Sequence, residues 1–143
     1  MREILFRGKK ESDNEWIDGY YVQTNDYLDE KKHNLIFEVN SVNYPRCEIA
    51  GVHEVDPETV GQFTGLTDKN GAKIFEGDII QTDDTDEEPA KVFYDEEETE
   101  FAVIIDNCYY GLGSNFNETD LTVIGNIHDN PELLWDGGAK DES

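Results

Sequence analysis

The chain has 143 residues, of which 34 are acidic and 11 basic, for a formal charge of −23. That length fits one domain, and a charge this negative excludes phosphate backbones and anionic membranes as direct partners, because both need clustered Lys and Arg. Hydrophobic residues are 36% of the chain, but seven Phe, seven Tyr and two Trp, each burying roughly 150–250 Å², argue for a folded domain rather than a disordered acidic chain.

Strand signals dominate from the start. Ile4 to Phe6 is short and apolar, the polar stretch Gly8 to Asn14 reads as a loop, and Trp16 to Val22 supplies the aromatic and β-branched residues of a second, paired strand. Asp26 to Asn34 is charged and reads as a loop. Leu35 to Val39 and Cys47 to Val55 are further strands, with a turn around Asn43-Tyr44-Pro45 between them. Asp56-Pro57-Glu58-Thr59-Val60 reads as one helical turn, capped by Asp56, with a proline at its first position and Glu58 at the positive end of its dipole. Asp68-Lys69-Asn70-Gly71 is a tight turn, since Asn and Gly accept positive φ at low cost.

Ile74 to Ile80 has strand character interrupted at Glu76-Gly77-Asp78. Lys91 to Tyr94 and Phe101 to Ile105 alternate and form a hairpin around the charged turn Asp95 to Thr99. In a regular strand Val92 and Tyr94 would share one face. Leu121 to Ile127 is another strand. Asn130-Pro131-Glu132-Leu133-Leu134-Trp135 reads as a cap, an N1 proline and a short helix.

The predicted fold is mainly β. An antiparallel meander (Asp78–Gln81, Lys91–Tyr94, Phe101–Ile105, Leu121–Ile127) closes as a small SH3-like barrel in the C-terminal half, with an N-terminal β layer and short helical turns. Residues 1–135 form one compact domain, with 1–55 as the β layer and 56–135 as the barrel-like part and short helix. Residues 136–143, with Gly137-Gly138 and no apolar anchor, form a flexible tail.

The N-terminus lacks the apolar core of a signal peptide, and no apolar run approaches the roughly 20 residues of a membrane span. Cys47 and Cys108 are the only cysteines and have no short metal-binding spacing. A cytoplasmic protein with reduced thiols is expected.

Candidate chemistry is sparse. Glu76 and Asp78 could serve as an acid–base pair or metal ligands, but Gly77 between them suits a bulge, with Asp78 accepting backbone N–H groups at a strand entrance. His128 beside Asp129 could form a dyad, yet Ser12, Ser41, Ser114 and Ser143 lack a nucleophile context. Thr64 to Gly71 has glycines and a lysine without the order of a phosphate loop. No catalytic, metal or cofactor residue is therefore assigned, and a small hydrolase using Glu76, Asp78 or His128 is the weakest functional reading.

The acidic residues are concentrated in one segment. Ten of the eighteen residues from Asp83 to Glu100 are acidic: Asp83, Asp84, Asp86, Glu87, Glu88, Asp95, Glu96, Glu97, Glu98 and Glu100. Lys91 alone offsets them, so the segment carries −9 and the rest of the chain −14. On a hairpin and its preceding loop these carboxylates would crowd together. They form the candidate partner-binding site. The outlets are a solvated loop, a basic protein surface, mimicry of a nucleic-acid backbone, or a cation, although calcium-loop spacing is absent.

Two long blocks resemble one family. Val55 to Ile80 reads Val-Asp-Pro-Glu-Thr-Val-Gly-Gln-Phe-Thr-Gly-Leu-Thr-Asp-Lys-Asn-Gly-Ala-Lys-Ile-Phe-Glu-Gly-Asp-Ile-Ile, and Val123 to Leu134 reads Val-Ile-Gly-Asn-Ile-His-Asp-Asn-Pro-Glu-Leu-Leu. With the opening Met1-Arg2-Glu3-Ile4-Leu5-Phe6-Arg7, these resemble the YopX family of phage- and prophage-encoded proteins. The resemblance implies a β-rich fold and an origin in a phage or integrated element. It implies no reaction, since the family brings no established catalytic residues. Gln81 to Thr122, which holds the acidic runs, matches little. The function expected is a non-enzymatic, protein-binding accessory module, with homo-oligomers open to it. The alternative is an acidic nucleic-acid mimic that inhibits a host DNA- or RNA-binding protein.

Overall fold

The structure is a computed structural model that describes residues 2–25, 28, 30–39, 42–43, 48–49 and 51–135, the side chains of 42, 43, 48, 49 and 118 excepted. Cys47, the turn at Tyr44-Pro45 and the tail 136–143 lie outside the described residues. The fold is mainly β, built from antiparallel ladders with little helix. The chain divides into two compact units, Met1–Phe63 and Thr64–Ser143, and the division falls within a strand, β7 (Gly61–Thr67).

In the first unit, β1 (Phe6–Lys9), β2 (Trp16–Asn25), β3 (Lys32–Glu38), β6 (Val52–Glu54) and the start of β7 pair in the order β6-β3-β2-β1-β7. Two short strands, β4 (Val42–Asn43) and β5 (Glu48–Ile49), form a separate pair. The expected strand over Ile4–Phe6 starts later, at Phe6, where ladder pairing with Gly19 begins. Leu5 is buried ahead of it. The expected run Cys47–Val55 is divided at Gly51, which leaves the extended region with φ 60°. Part of the expected loop, from Lys32 onward, is strand β3. There Asn34 and Ile36 share the buried face, and Asn34 Oδ1 accepts from the Tyr21 hydroxyl at 2.5 Å and from Gln23 Nε2 at 3.2 Å, so the amide oxygen is satisfied. The turn Pro57–Thr59 forms as a 3₁₀ turn, with Asp56 accepting from the Glu58 N–H at 3.1 Å.

In the second unit, the rest of β7 pairs with β8 (Lys73–Phe75). Strand β9 (Asp78–Thr82) lies between β10 (Ala90–Lys91) and β14 (Leu121–Asn126), and β12 (Glu100–Ile105) lies between β11 (Phe93–Asp95) and β13 (Cys108–Gly111). The expected strand Lys91–Tyr94 is broken at Val92. Its N–H donates to Asp78 O at 2.8 Å and its carbonyl accepts from Gly77 N at 2.9 Å, which carries the chain from one three-stranded sheet into the other. The change of sheet resets the alternation, so Val92 is buried while Tyr94 is exposed, and the two do not share a face. Among the described residues the sheets around β9 and β12 are open and three-stranded, and a closed barrel is not found.

Strand β13 was not expected from the sequence. It follows a two-residue turn in which Asp106 and Asn107 both take positive φ, 51° and 66°, as hairpin turns of this kind require. A single helical turn, α1 (Leu112–Asn115), follows. The core is mostly aliphatic and draws on both sheets: Ile74, Ile80, Val92, Val103, Ile105, Leu112 and Leu121 are nearly inaccessible. Pro131–Leu134 is a 3₁₀ turn rather than an α-helix. Asn130 does not cap it, because its Oδ1 accepts from Asn126 N at 3.3 Å. No helix among the described residues is long and apolar enough to cross a membrane.

Candidate functional site

The acidic segment occupies two places in the second unit. Asp83 to Glu88 form the loop between β9 and β10. Gln81 Nε2 donates to Glu87 O at 2.8 Å, and the Thr82 hydroxyl donates to Glu87 Oε1 at 2.6 Å. Asp84 Oδ1 accepts from Asp86 N at 3.0 Å, an Asx turn that fixes the loop locally. Lys69 Nζ stands 3.4 Å from Asp83 Oδ1. Asp84 and Glu87 thus hold the loop's shape, while Asp86 and Glu88 are exposed.

Asp95 to Glu100 form the β11–β12 hairpin. Asp95 Oδ1 accepts from Glu97 N at 3.0 Å and Glu98 N at 3.4 Å, and Glu96, Glu97 and Glu98 are exposed at the tip. Asp95 and Glu100 are directly opposite across the ladder, an arrangement that repels. The Tyr109 hydroxyl relieves it by donating to Glu100 Oε2 at 2.8 Å. Loss of hydration around that hydroxyl, then its hydrogen bonds to Glu100 and Asp95 and their negative charges, hold its pKa well above the ordinary tyrosine value. Tyr109 is therefore expected to remain protonated in an ultraviolet titration at pH values where most tyrosines ionise. A Tyr109→Phe variant showing an unchanged titration curve through pH 11 would bear this out, and one that loses an ionising group below it would refute it.

The two acidic groups lie at opposite ends of the segment Ala90–Asp95. The ten carboxylates are thus divided between two loops, joined by a segment that changes sheet at Val92.

Beside the first group is a groove of about 310 Å³. The loop residues Asp86, Glu87, Glu88 and Pro89 line one side, and Leu134 and Trp135 of the C-terminal turn line another. Trp135 is 71% exposed, unusual for a residue type that is highly buried on average. Sequence reasoning placed Trp135 only at the end of a short helix. Its place beside the acidic loop depends on Leu121–Asn126 pairing with Asp78–Thr82. The first unit has a shallower apolar groove of about 500 Å³, lined by Ile4, Phe6, Tyr20 and Tyr21.

The hydrolase candidates are placed as follows. Asp78 is buried and its Oδ2 accepts from Phe75 N at 2.8 Å, holding the tight turn at Gly77 (φ 93°) between β8 and β9. His128 and Asp129 are exposed. The Asp129 carboxylate accepts from Asn126 Nδ2 at 3.2 Å, and the His128 N–H donates to Asn126 Oδ1 at 3.0 Å. Neither groove is lined by Glu76, Asp78 or His128. His33 pairs with Glu54 at 2.8 Å and His53 with Glu38 at 3.3 Å, across the β3–β6 ladder. Cys108 is exposed with a free thiol. Among the described residues no group of three or more His, Cys, Asp or Glu side chains is placed to hold a metal ion.

Asp68, read from sequence as part of a turn, does more. It is 3% exposed. Its Oδ1 accepts from Asn70 N at 2.8 Å and Ala72 N at 2.9 Å, and its Oδ2 from Val123 N at 2.9 Å. The turn thereby covers the free edge of β14, where Lys69 N also donates to Leu121 O at 3.0 Å.

No match is found among the curated proteins. Among solved structures, the chain is similar to the crystal structure of protein EF1440 from Enterococcus faecalis. The two share 23% identity and a TM-score of 0.57, with 94% of this chain and 99% of that one covered, a likeness of fold. The sequence profile of the YopX protein family matches residues 5–135. With nearly the whole described chain inside that match, the protein belongs to the YopX family.

Proposed function

We propose that this chain is a non-enzymatic phage or prophage accessory protein that works in the host cytoplasm by binding a basic protein surface. One observation supports the reading above others: the exposed carboxylates of Asp86, Glu88, Glu96, Glu97 and Glu98 stand on two loops already ordered by the Asp84 and Asp95 turns. A pre-ordered anionic loop loses little conformational freedom on binding, and the net charge of −23 steers cationic partners toward it. The change of sheet at Val92 supports the finer reading of the second unit as an SH3-like barrel, since it supplies the corner such a fold needs.

The test is affinity capture from host lysate at about 0.05 M and about 0.5 M salt, where Debye lengths differ severalfold. Basic proteins captured at low salt should wash off at high salt. A variant with Asn or Gln at all five exposed positions should capture nothing while keeping its circular dichroism spectrum. Equal capture by that variant, or none by the parent, removes the reading. The same surface supports the decoy alternative, in which the captured protein binds nucleic acid. Duplex DNA added to the capture would then compete the partner away.

A further inference from the structure

We infer that the groove between the acidic loop and the C-terminal turn receives an arginine side chain from a basic segment of the partner. This rests on the binding-module reading and assigns it a site. A 71% exposed indole beside a cleft offers a π face to a cation. Asp86 and Glu88, both exposed and both lining the same cleft, offer carboxylates to a guanidinium fork. Glu87 is already engaged by Thr82 and serves as scaffold.

A guanidinium stacks on an aromatic ring, pairs bidentately with carboxylates and is weakly hydrated, whereas a lysine ammonium is a strongly hydrated point charge. Arginine therefore uses both walls of this groove where lysine uses mainly one. The volume of about 310 Å³ is at the small end of ligand sites, suited to one side chain with its adjoining backbone. Glu96 to Glu98 of the hairpin tip do not line this groove and take no part.

The test titrates the full chain with a blocked glycine–serine peptide carrying one arginine, and with matched lysine and citrulline peptides, following amide shifts by NMR. Arginine peptide should shift residues 85–88 and 133–135 and bind more tightly than lysine, and the citrulline peptide should not bind. Trp135→Ala should weaken binding about fivefold, and Asp86→Asn with Glu88→Gln by at least as much, with spectra elsewhere unchanged. Neutralising Glu96, Glu97 and Glu98 should leave the peptide's affinity as it was. Shifts confined to the hairpin tip, or unaltered affinity in both groove variants, overturn the arginine site while leaving the broader reading standing. Absence of binding anywhere, together with failed lysate capture, overturns both.

Discussion

Replacing Asp68 with asparagine is expected to cost about 2 kcal/mol of stability, and replacing it with alanine about 3 kcal/mol or more. The carboxylate accepts three backbone N–H groups, two within its own turn and one from Val123. An asparagine can keep Oδ1 for Asn70 and Ala72, but it then points its NH₂ at the Val123 N–H, donor against donor. Alanine leaves all three without the acceptor, and the edge of β14 loses its cover. Burial by itself would raise this carboxyl's pKa, but the three backbone donors outweigh it and the net shift is downward from 3.8. A depressed folded pKa means the stabilisation is fully present above about pH 4 and is lost as pH falls through the folded value. The gap between parent and Asp68→Asn in urea unfolding should therefore be wide at pH 7 and shrink as the pH falls below about 4. Equal stability of the two at pH 7 would show that the Val123 bond carries no weight.

Gly19→Ala is expected to destabilise the first unit by about 3 kcal/mol or more. Gly19 lies in the interior of β2, paired with Phe6 on one side and Glu38 on the other. A Cβ there would fall inside the van der Waals shell of the Phe37 carbonyl oxygen and 2.9 Å from its carbon. These are backbone atoms of β3, so relief requires moving the strand and loosening the β2–β3 ladder. By contrast, at Gly111 an added Cβ would meet mainly the end of the Glu100 side chain, which can swing aside. Hydrogen exchange measures the difference: Gly19→Ala should lose protection at amides of Trp16–Asn25 and Lys32–Glu38, and Gly111→Ala should leave those amides as in the parent. Full protection in Gly19→Ala would mean the strands separate at no cost.

Short-range chemistry accounts for what was legible before the fold. The Asp56 cap and Pro57 start, the turn at Asp68–Gly71 and the charged hairpin at Asp95–Thr99 all form where local residue types demand them. The two blocks that carry the family likeness were legible as well, and the match over 5–135 agrees with them. Asp78 beside Gly77 also behaves as local chemistry predicts, a carboxylate closing a tight turn onto Phe75.

Two features the sequence did not show, at Val92 and Asp68, share a cause. Val92 breaks its strand because Gly77 and Asp78, fourteen or more residues earlier, hold its backbone groups. Asp68 spends one oxygen on Val123, 55 residues away. Both bonds join residues that are not neighbours along the chain, so local residue types do not announce them.

The charge shows the same division. Its sign and its concentration between Asp83 and Glu100 were fixed by composition alone. That the ten acids fall on two loops was decided by β10 and β11 forming between them, and that one loop stands beside an exposed indole was decided by β14 pairing with β9. Charge is a sum over residues and is readable in any order. A groove is a relation between distant segments, and only tertiary pairing brings its walls together.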